Sequence, residues 1–262
     1  METIERFRQC LQSGRVCLGS SITLSDPLVS DALADSVDFF WIDLEHSPMS
    51  PEALNGHLMS ARLRKVPSLV RIPGVGSHFV KAVLDAGADG IIVPQIRTAE
   101  EVKRVVSDCR YPPVGTRGYG PRVPSNYGRD GGKEYIRRAD KGVFVSVQIE
   151  TAEALDSIGE IVAVPGLDSV VIGPNDLSGA LGMLGDVENP KVVAAMETII
   201  SRARAAGLFV GAGLGPDPNY ACVLAERGVQ WMHLGCDWSY LVCHMDQLVS
   251  SVRGRLGEGA SQ

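Results

Sequence analysis

Asp43, Glu45 and His46 crowd the end of one apolar run, VDFFWIDL (37–44), and the chain then turns at Pro48. Comparable polar residues close other apolar runs. Arg71 ends PSLVRI (67–72), Gln95 ends GIIVPQ (90–95), and Gln148 and Glu150 end VFVSVQIE (143–150). Asn175, Asp176 and Ser178 follow DSVVIG (168–173). Gln148 and Glu150 stand two apart, so on a strand both point the same way. Glu150 and Asp176, from neighbouring units, offer two carboxylates to one space. Such a pair repels itself unless a cation joins it, and an all-oxygen set selects a hard ion such as Mg²⁺, Mn²⁺ or Co²⁺. Two protein ligands leave positions for water and substrate, the arrangement of a Lewis acid for a chelating oxoacid. Arg71 presents a fixed fork of donors for a carboxylate or an enolate oxygen. Histidine is the residue type suited to a general base near neutral pH, and His46 takes that part. Each residue also has a plainer reading: Glu150 as a solvated or helix-capping acid, Asp176 as an N-cap, Arg71 as an ion pair to Glu45.

Positioning these residues together requires a scaffold whose strand ends converge. Eight β-branched or apolar runs recur: 15–22, 37–44, 67–72, 90–95, 143–150, 168–173, 207–214 and 229–235. Between them, SPEALNGHLMSARLR, TAEEVKRVVSDCR, TAEALDSIGEIVAV and NPKVVAAMETIISRARAAG repeat apolar residues every three or four positions, the helical period. Continuous apolar strands alternating with helices imply a parallel sheet covered by helices, and eight such units close into an α/β (β/α)8 TIM barrel. An open doubly wound sheet is disfavoured, because no GxGxxG follows the first run. METIERFRQCLQSG reads as an extra amphipathic helix plugging the bottom of the barrel. The expectation is one domain over 1–262. One segment, 111–135, is too rich in Gly, Pro and Tyr for a helix, and loops this long usually carry function.

A formal net charge of -6 leaves no chain-wide basic field for nucleic acid or an anionic membrane. The six cysteines show no CxxC pair or zinc-ligand rhythm, so they read as reduced. No apolar run reaches the length of a membrane span and no signal-peptide pattern opens the chain, which together predict a cytoplasmic protein. Lys65, Lys81, Lys103, Lys133, Lys141 and Lys191 fall in helices, loops or strand starts. None suits a Schiff-base aldolase, which needs a lysine at a strand's carboxyl end. His57, His233 and His244 read as structural, and His78 as a helix-start residue.

WIDLEH, VRIP, DAGADGIIVPQIRTAEE, RYPPVGTRG, VQIET and IGPNDLS, in this order and spacing, resemble the metal-dependent pyruvate aldolases of the HpcH/HpaI family over nearly the whole chain. The resemblance implies a (β/α)8 barrel assembled as a homohexamer, a trimer of dimers, with the final helix exchanged between partners. It implies cleavage or formation of 4-hydroxy-2-oxoacids through a pyruvate enolate, with a divalent metal and no organic cofactor. By the same resemblance Glu150 and Asp176 are metal ligands, Arg71 stabilises the enolate, and His46 is the base. Asp85 is supplied across the dimer interface to pair with that base. Gln148 lies beside pyruvate, while the turn at Gly173, Pro174, Asn175 and Asp176, with Ser178, binds its carboxylate. Asp43 and Glu45 orient Arg71, His46 and bound water. The partners so implied are a small oxoacid and an aldehyde. The aldehyde pocket is expected from SSITLSDP, the 117–128 insert and GLGPDPN, with Arg117, Arg122 and Tyr127 binding an anionic or polyhydroxy tail or packing between subunits. An oxaloacetate decarboxylase or an enolate-trapping synthase is the enzymatic alternative, and an oxoacid-binding barrel without turnover the other.

Overall fold

Apolar residues on strands alternate between two destinations, and that alternation builds the molecule. The computed structural model describes residues 2–257. Helix α1 (Glu2–Gln12) precedes β1 (Cys17–Ile22), α2 (Leu28–Leu33), β2 (Phe39–Asp43), α3 (Pro51–Arg64) and β3 (Ser68–Arg71). Next come α4 (Ser77–Ala86), β4 (Gly90–Val93), α5 (Ala99–Asp108), α6 (Gly132–Gly142) and β5 (Phe144–Ile149). Helices α7 (Ala152–Asp156) and α8 (Ile158–Ile161) lead to β6 (Ser169–Ile172), α9 (Pro174–Ala180) and α10 (Pro190–Ala205). The chain ends with β7 (Phe209–Leu214), α11 (Pro218–Glu226), β8 (Trp231–Cys236) and α12 (Asp237–Leu256). All eight strands pair in parallel with their sequence neighbours, and β1 pairs with β8, closing the barrel. This is the (β/α)8 architecture expected from the pattern.

Phe40, Ile42, Val70, Ile91, Val170 and Met232 belong to the layer packed under the helices. Phe39, Trp41, Leu69, Ile92, Val171 and Trp231, one residue out of phase, fill the barrel interior. Period-two alternation therefore carries Asp43, two beyond Trp41, and Arg71, two beyond Leu69, to the inside of the mouth. Gln148, Glu150 and Gly173 follow from Phe144 and Val171 by the same count. At the other end α1 closes the barrel with Ile4, Phe7 and Leu11, as its spacing predicted. The Phe7 ring lies 5.4 Å from Phe39 and 5.6 Å from Phe144 between centroids. Gly211 must lack a side chain there, since a Cβ would come within 2.3 Å of the Trp231 indole.

Helix ends follow their capping residues. Ser50 accepts from the Ala53 N–H with Pro51 opening α3, and Thr98 with Glu101 forms a capping box on α5. Two expectations need correction. TAEALDSIGEIVAV is not one helix: α7 ends at Ser157, whose N–H returns to Glu153 O and Leu155 O, and α8 starts afresh. The segment 111–135 is not helix-free, because α6 begins at Gly132. The rest of the segment joins α5 to α6 ahead of β5, which places it at the barrel's amino-terminal end. There Arg117 N donates to Arg110 O and Val123 N to Asp85 O. Among the described residues no helix is long and apolar enough to cross a membrane.

Candidate active site

Asp43 and Arg71 are register partners at the ends of β2 and β3. Arg71 Nε donates to Asp43 Oδ1 at 2.9 Å and Nη2 donates to Oδ2 at 2.7 Å, a bidentate fork. Nη1 stands 3.1 Å from Glu45 Oε2, and the guanidinium lies over the Trp41 ring. Burial alone would raise the Asp43 carboxyl, but the Arg71 hydrogen bonds and charge outweigh it and hold it below the ordinary value. Burial likewise opposes charge on Arg71, and Asp43 and Glu45 overcome it. Glu45 is raised by burial, against Arg71 and with the help of Asp43 and Asp176. His46 lies at the open edge, its side chain 66% exposed and Nε2 3.6 Å from Glu45 Oε2. Asp43 Oδ1 also takes the Glu45 N–H at 3.0 Å, which fixes the start of this loop.

Across the mouth, Glu150 is held by three donors. Gln95 gives its backbone N–H at 2.8 Å and Nε2 at 2.9 Å to Oε1, and Gln148 Nε2 donates to Oε2 at 2.8 Å. Gln95 turns its N–H inward by adopting φ +56, a left-handed conformation uncommon for a residue with a side chain. Gly173 leaves the room this requires, because a Cβ there would sit 2.8 Å from Glu150 Oε2. Burial pushes the Glu150 carboxyl up to about 7, with Asp176 and Glu45 adding to the effect. Asp176 lies exposed in the first turn of α9. Four carboxylates thus face one guanidinium. Gln148 Oε1, buried beside Glu150, has no hydrogen-bond partner. An excess of carboxylate with an orphaned carbonyl oxygen suits a hard divalent cation, for which Glu150 and Asp176 are the direct ligands available. No cluster of three or more His, Cys, Asp or Glu fit to hold a metal occurs among the described residues.

Ser178 is buried, donating to Asn175 O at 2.6 Å and accepting from Gly185 N at 3.0 Å. Its hydroxyl shapes the turn that carries Asn175 and Asp176. Asp85 lies in the last turn of α4, at the amino-terminal end of the barrel, where Arg117 Nη2 donates to Oδ1 at 2.7 Å. It is not brought to the mouth of its own chain. The 117–128 insert is likewise placed beside α4 and α6. His57 is structural as expected, with Ser30 Oγ 2.7 Å from Nδ1 and Leu24 O 2.9 Å from Nε2. His78 occupies the second position of α4, and His244 is exposed on α12.

His233 is closer to the chemistry than its strand position suggested. Its ring packs edge-on against Trp41 at 4.9 Å, beneath the arginine, and burial with the nearby Arg71 charge lowers it to about 4. The signal was present: two residues beyond Trp231, position 233 points inward. Gln95 was visible as a rim residue, but the role of its backbone N–H depends on a φ value no residue pattern displays.

Residues 23–243 match the model of the HpcH/HpaI aldolase/citrate lyase family. The chain belongs to this family. It is therefore a carbon–carbon lyase of the aldolase type, built on the barrel just described. Among its relatives, a hydroxypyruvate/pyruvate aldolase of Pseudomonas aeruginosa is 33% identical, covering 96% of this chain and 94% of the relative. A 4-hydroxy-2-oxovalerate aldolase of Rhodococcus jostii is 35% identical, covering 89% and 90%. The crystal structure of an HpcH/HpaI aldolase/citrate lyase family protein from Burkholderia cenocepacia superposes with a TM-score of 0.88 at 30% identity, covering 95% of this chain and 99% of that one.

Proposed function

We propose that this chain is a divalent-metal-dependent aldolase that cleaves or forms 4-hydroxy-2-oxoacids, with pyruvate or a close 2-oxoacid as one product and an aldehyde as the other. The observation that carries this reading is the Arg71 fork, clamped by Asp43 and Glu45, facing the Glu150 and Asp176 carboxylates across one mouth. The relatives' activities support the oxoacid class. Mg²⁺, Mn²⁺ or Co²⁺ would be held by Glu150 and Asp176, and when bound supplies Lewis-acid polarisation of the 2-oxoacid.

The chain's own groups do the rest. Each terminal nitrogen of Arg71 keeps one N–H beyond those given to Asp43 and Glu45. These meet the 2-oxo oxygen as negative charge develops on it, in a geometry fixed beforehand. Gln148 borders the oxoacid, and the backbone N–H groups of Asn175 and Asp176 at the start of α9 have no intrahelical acceptor and suit its carboxylate. Gly173 and Pro174 shape that turn. In the cleavage direction His46 takes the proton of the 4-hydroxyl, the C4–O electrons form the aldehyde carbonyl, and the C3–C4 pair moves onto the oxoacid as its enolate. Glu45, 3.6 Å from His46, favours the imidazolium that results. Protonation at C3 then gives the oxoacid.

The same reading includes assembly. Asp85, at the far end of α4, reaches a His46 only on another copy. Helix α12 exposes Leu241, Met245 and Val252, each more than half exposed, an apolar face suited to exchange within a homohexamer. Cysteines without disulfides suit the cytoplasm. The test of the chemistry is exchange of the pyruvate methyl protons for deuterium, followed by proton NMR. Metal-loaded protein should catalyse exchange and Arg71→Lys should be slower by about a hundredfold or more. No exchange by metal-loaded wild type would overturn the reading.

A further inference from the structure

A cavity of about 370 Å³ opens at the end of the barrel opposite Arg71 and Glu150. Asp89, just ahead of β4, and Val143, just ahead of β5, mark that end, and Arg117 and Val123 of the long insert form one wall. The segment that the sequence singled out as functional therefore lines this cavity and leaves the catalytic mouth of its own chain alone. The volume is that of a small-ligand site.

Its polar groups are unevenly matched. Arg6, Arg62 and Lys65 are exposed at the cavity, and none forms an ion pair among the described residues. Arg6 gives one hydrogen bond, to Lys65 O at 3.0 Å. Arg117 is 3% exposed, paired with Asp85 and stacked over Tyr111 at 4.7 Å, yet its Nε has no acceptor. The buried Tyr135 hydroxyl faces the Tyr111 hydroxyl. On the acidic side, Asp89 is committed to Thr3 Oγ1 at 2.9 Å and to Ser68 N and Oγ, leaving only the exposed Glu2. Leu84, Val123 and Val143 supply apolar wall. Unmatched cations and a buried donor beside an apolar surface call for an acceptor-rich ligand with a hydrocarbon body.

We propose that this cavity is a second ligand site, at the far end of the barrel from the catalytic mouth of its own chain, that binds a compact organic anion with a carboxylate or phosphate head. The cations recruit the head, and the Arg117 side of the cavity supplies a donor that the protein itself leaves unused.

Isothermal titration of the full-length protein with inorganic phosphate, citrate and 3-phosphoglycerate tests this. Wild type should bind at least one of them saturably. Preference for phosphate and phosphoglycerate assigns a phosphate head, and preference for citrate a carboxylate head. Arg62→Glu and Lys65→Glu, on the exposed rim, should each weaken that binding about tenfold or more. Glu150→Ala should leave it unchanged. Aldolase turnover should persist in the two rim variants. The proposal is overturned if no anion binds saturably, or if binding disappears in Glu150→Ala while the rim variants retain it, which would place the anion in the catalytic mouth. Neither result bears on the aldolase reading, which proton exchange into pyruvate tests independently.

Discussion

Asp43 grips Arg71 through two hydrogen bonds of 2.9 and 2.7 Å at the ends of adjacent strands, the carboxylate buried and the guanidinium partly so. A guanidinium held in this way cannot swing with substrate, so its remaining N–H groups are aimed in advance. Asp43→Asn keeps the shape and removes the charge. We expect stability to fall by about 2 kcal/mol, below the usual cost of breaking a fully buried pair because Arg71 is partly exposed and Glu45 still faces it. The kcat for oxoacid turnover should fall more than the affinity for oxoacid. Urea denaturation and steady-state kinetics on the same preparation check both.

Gly173 tests the carboxylate side. Its φ of -99° suits any residue, so Gly173→Ala should fold normally by circular dichroism. The new Cβ would fall 2.8 Å from Glu150 Oε2 and push that carboxylate from its place. Mn²⁺ affinity, read by titration calorimetry, should drop about tenfold or more.

His233 makes stability depend on pH. Unfolded chains bind a proton at this residue near the ordinary histidine value of 6.5, whereas the folded chain does so only near 4. The unfolded state therefore gains protons first, and stability is lost as pH falls from about 6.5 toward 4. Glu150, raised to about 7, works in the opposite sense over an overlapping range, so the comparison must be between variants. Urea midpoints of wild type and His233→Gln between pH 7.5 and 5 should show a shallower loss on acidification in the variant.

Phe7 isolates the floor of the barrel from its mouth. Its ring touches Phe39, Phe144 and Trp231, with centroids 5.4, 5.6 and 6.2 Å away. Phe7→Ala should cost about 3 kcal/mol or more through the cavity it leaves. Turnover per folded molecule should stay near wild type, because the reacting groups sit at the other end. Denaturation and active-site titration separate the two effects.

The eight strands are legible because most of their residues are buried on both faces and so read as continuous apolar runs. Once the strands are known, counting by two from Trp41, Leu69 and Phe144 brings Asp43, Arg71, Gln148 and Glu150 to one mouth, and this much of the site was readable. The break at Ser157 was not, since the apolar period continues through it and only backbone hydrogen bonds show the helix restarting. Gln95 is readable as a rim residue, but not its backbone N–H, which an unusual φ turns toward Glu150. The insert reads either as part of the aldehyde pocket or as packing between subunits, and within its own chain it lies away from the mouth, against Asp85. Its position after α5 and ahead of β5 fixes the amino-terminal end of the barrel, with Arg117 drawn to Asp85 there.

The central claim is that Glu150 and Asp176 bind the metal through which the aldolase works, with Arg71 opposite. The most direct measurement is pyruvate release from a panel of 4-hydroxy-2-oxoacids, with oxaloacetate alongside. Chelator-stripped protein would be assayed before and after addition of Mg²⁺, Mn²⁺ or Co²⁺, with Glu150→Ala as the control. The account predicts that stripped protein is inactive, that metal restores aldol cleavage, and that the variant stays inactive at every metal concentration. Cleavage that survives both stripping and the loss of Glu150 would contradict it.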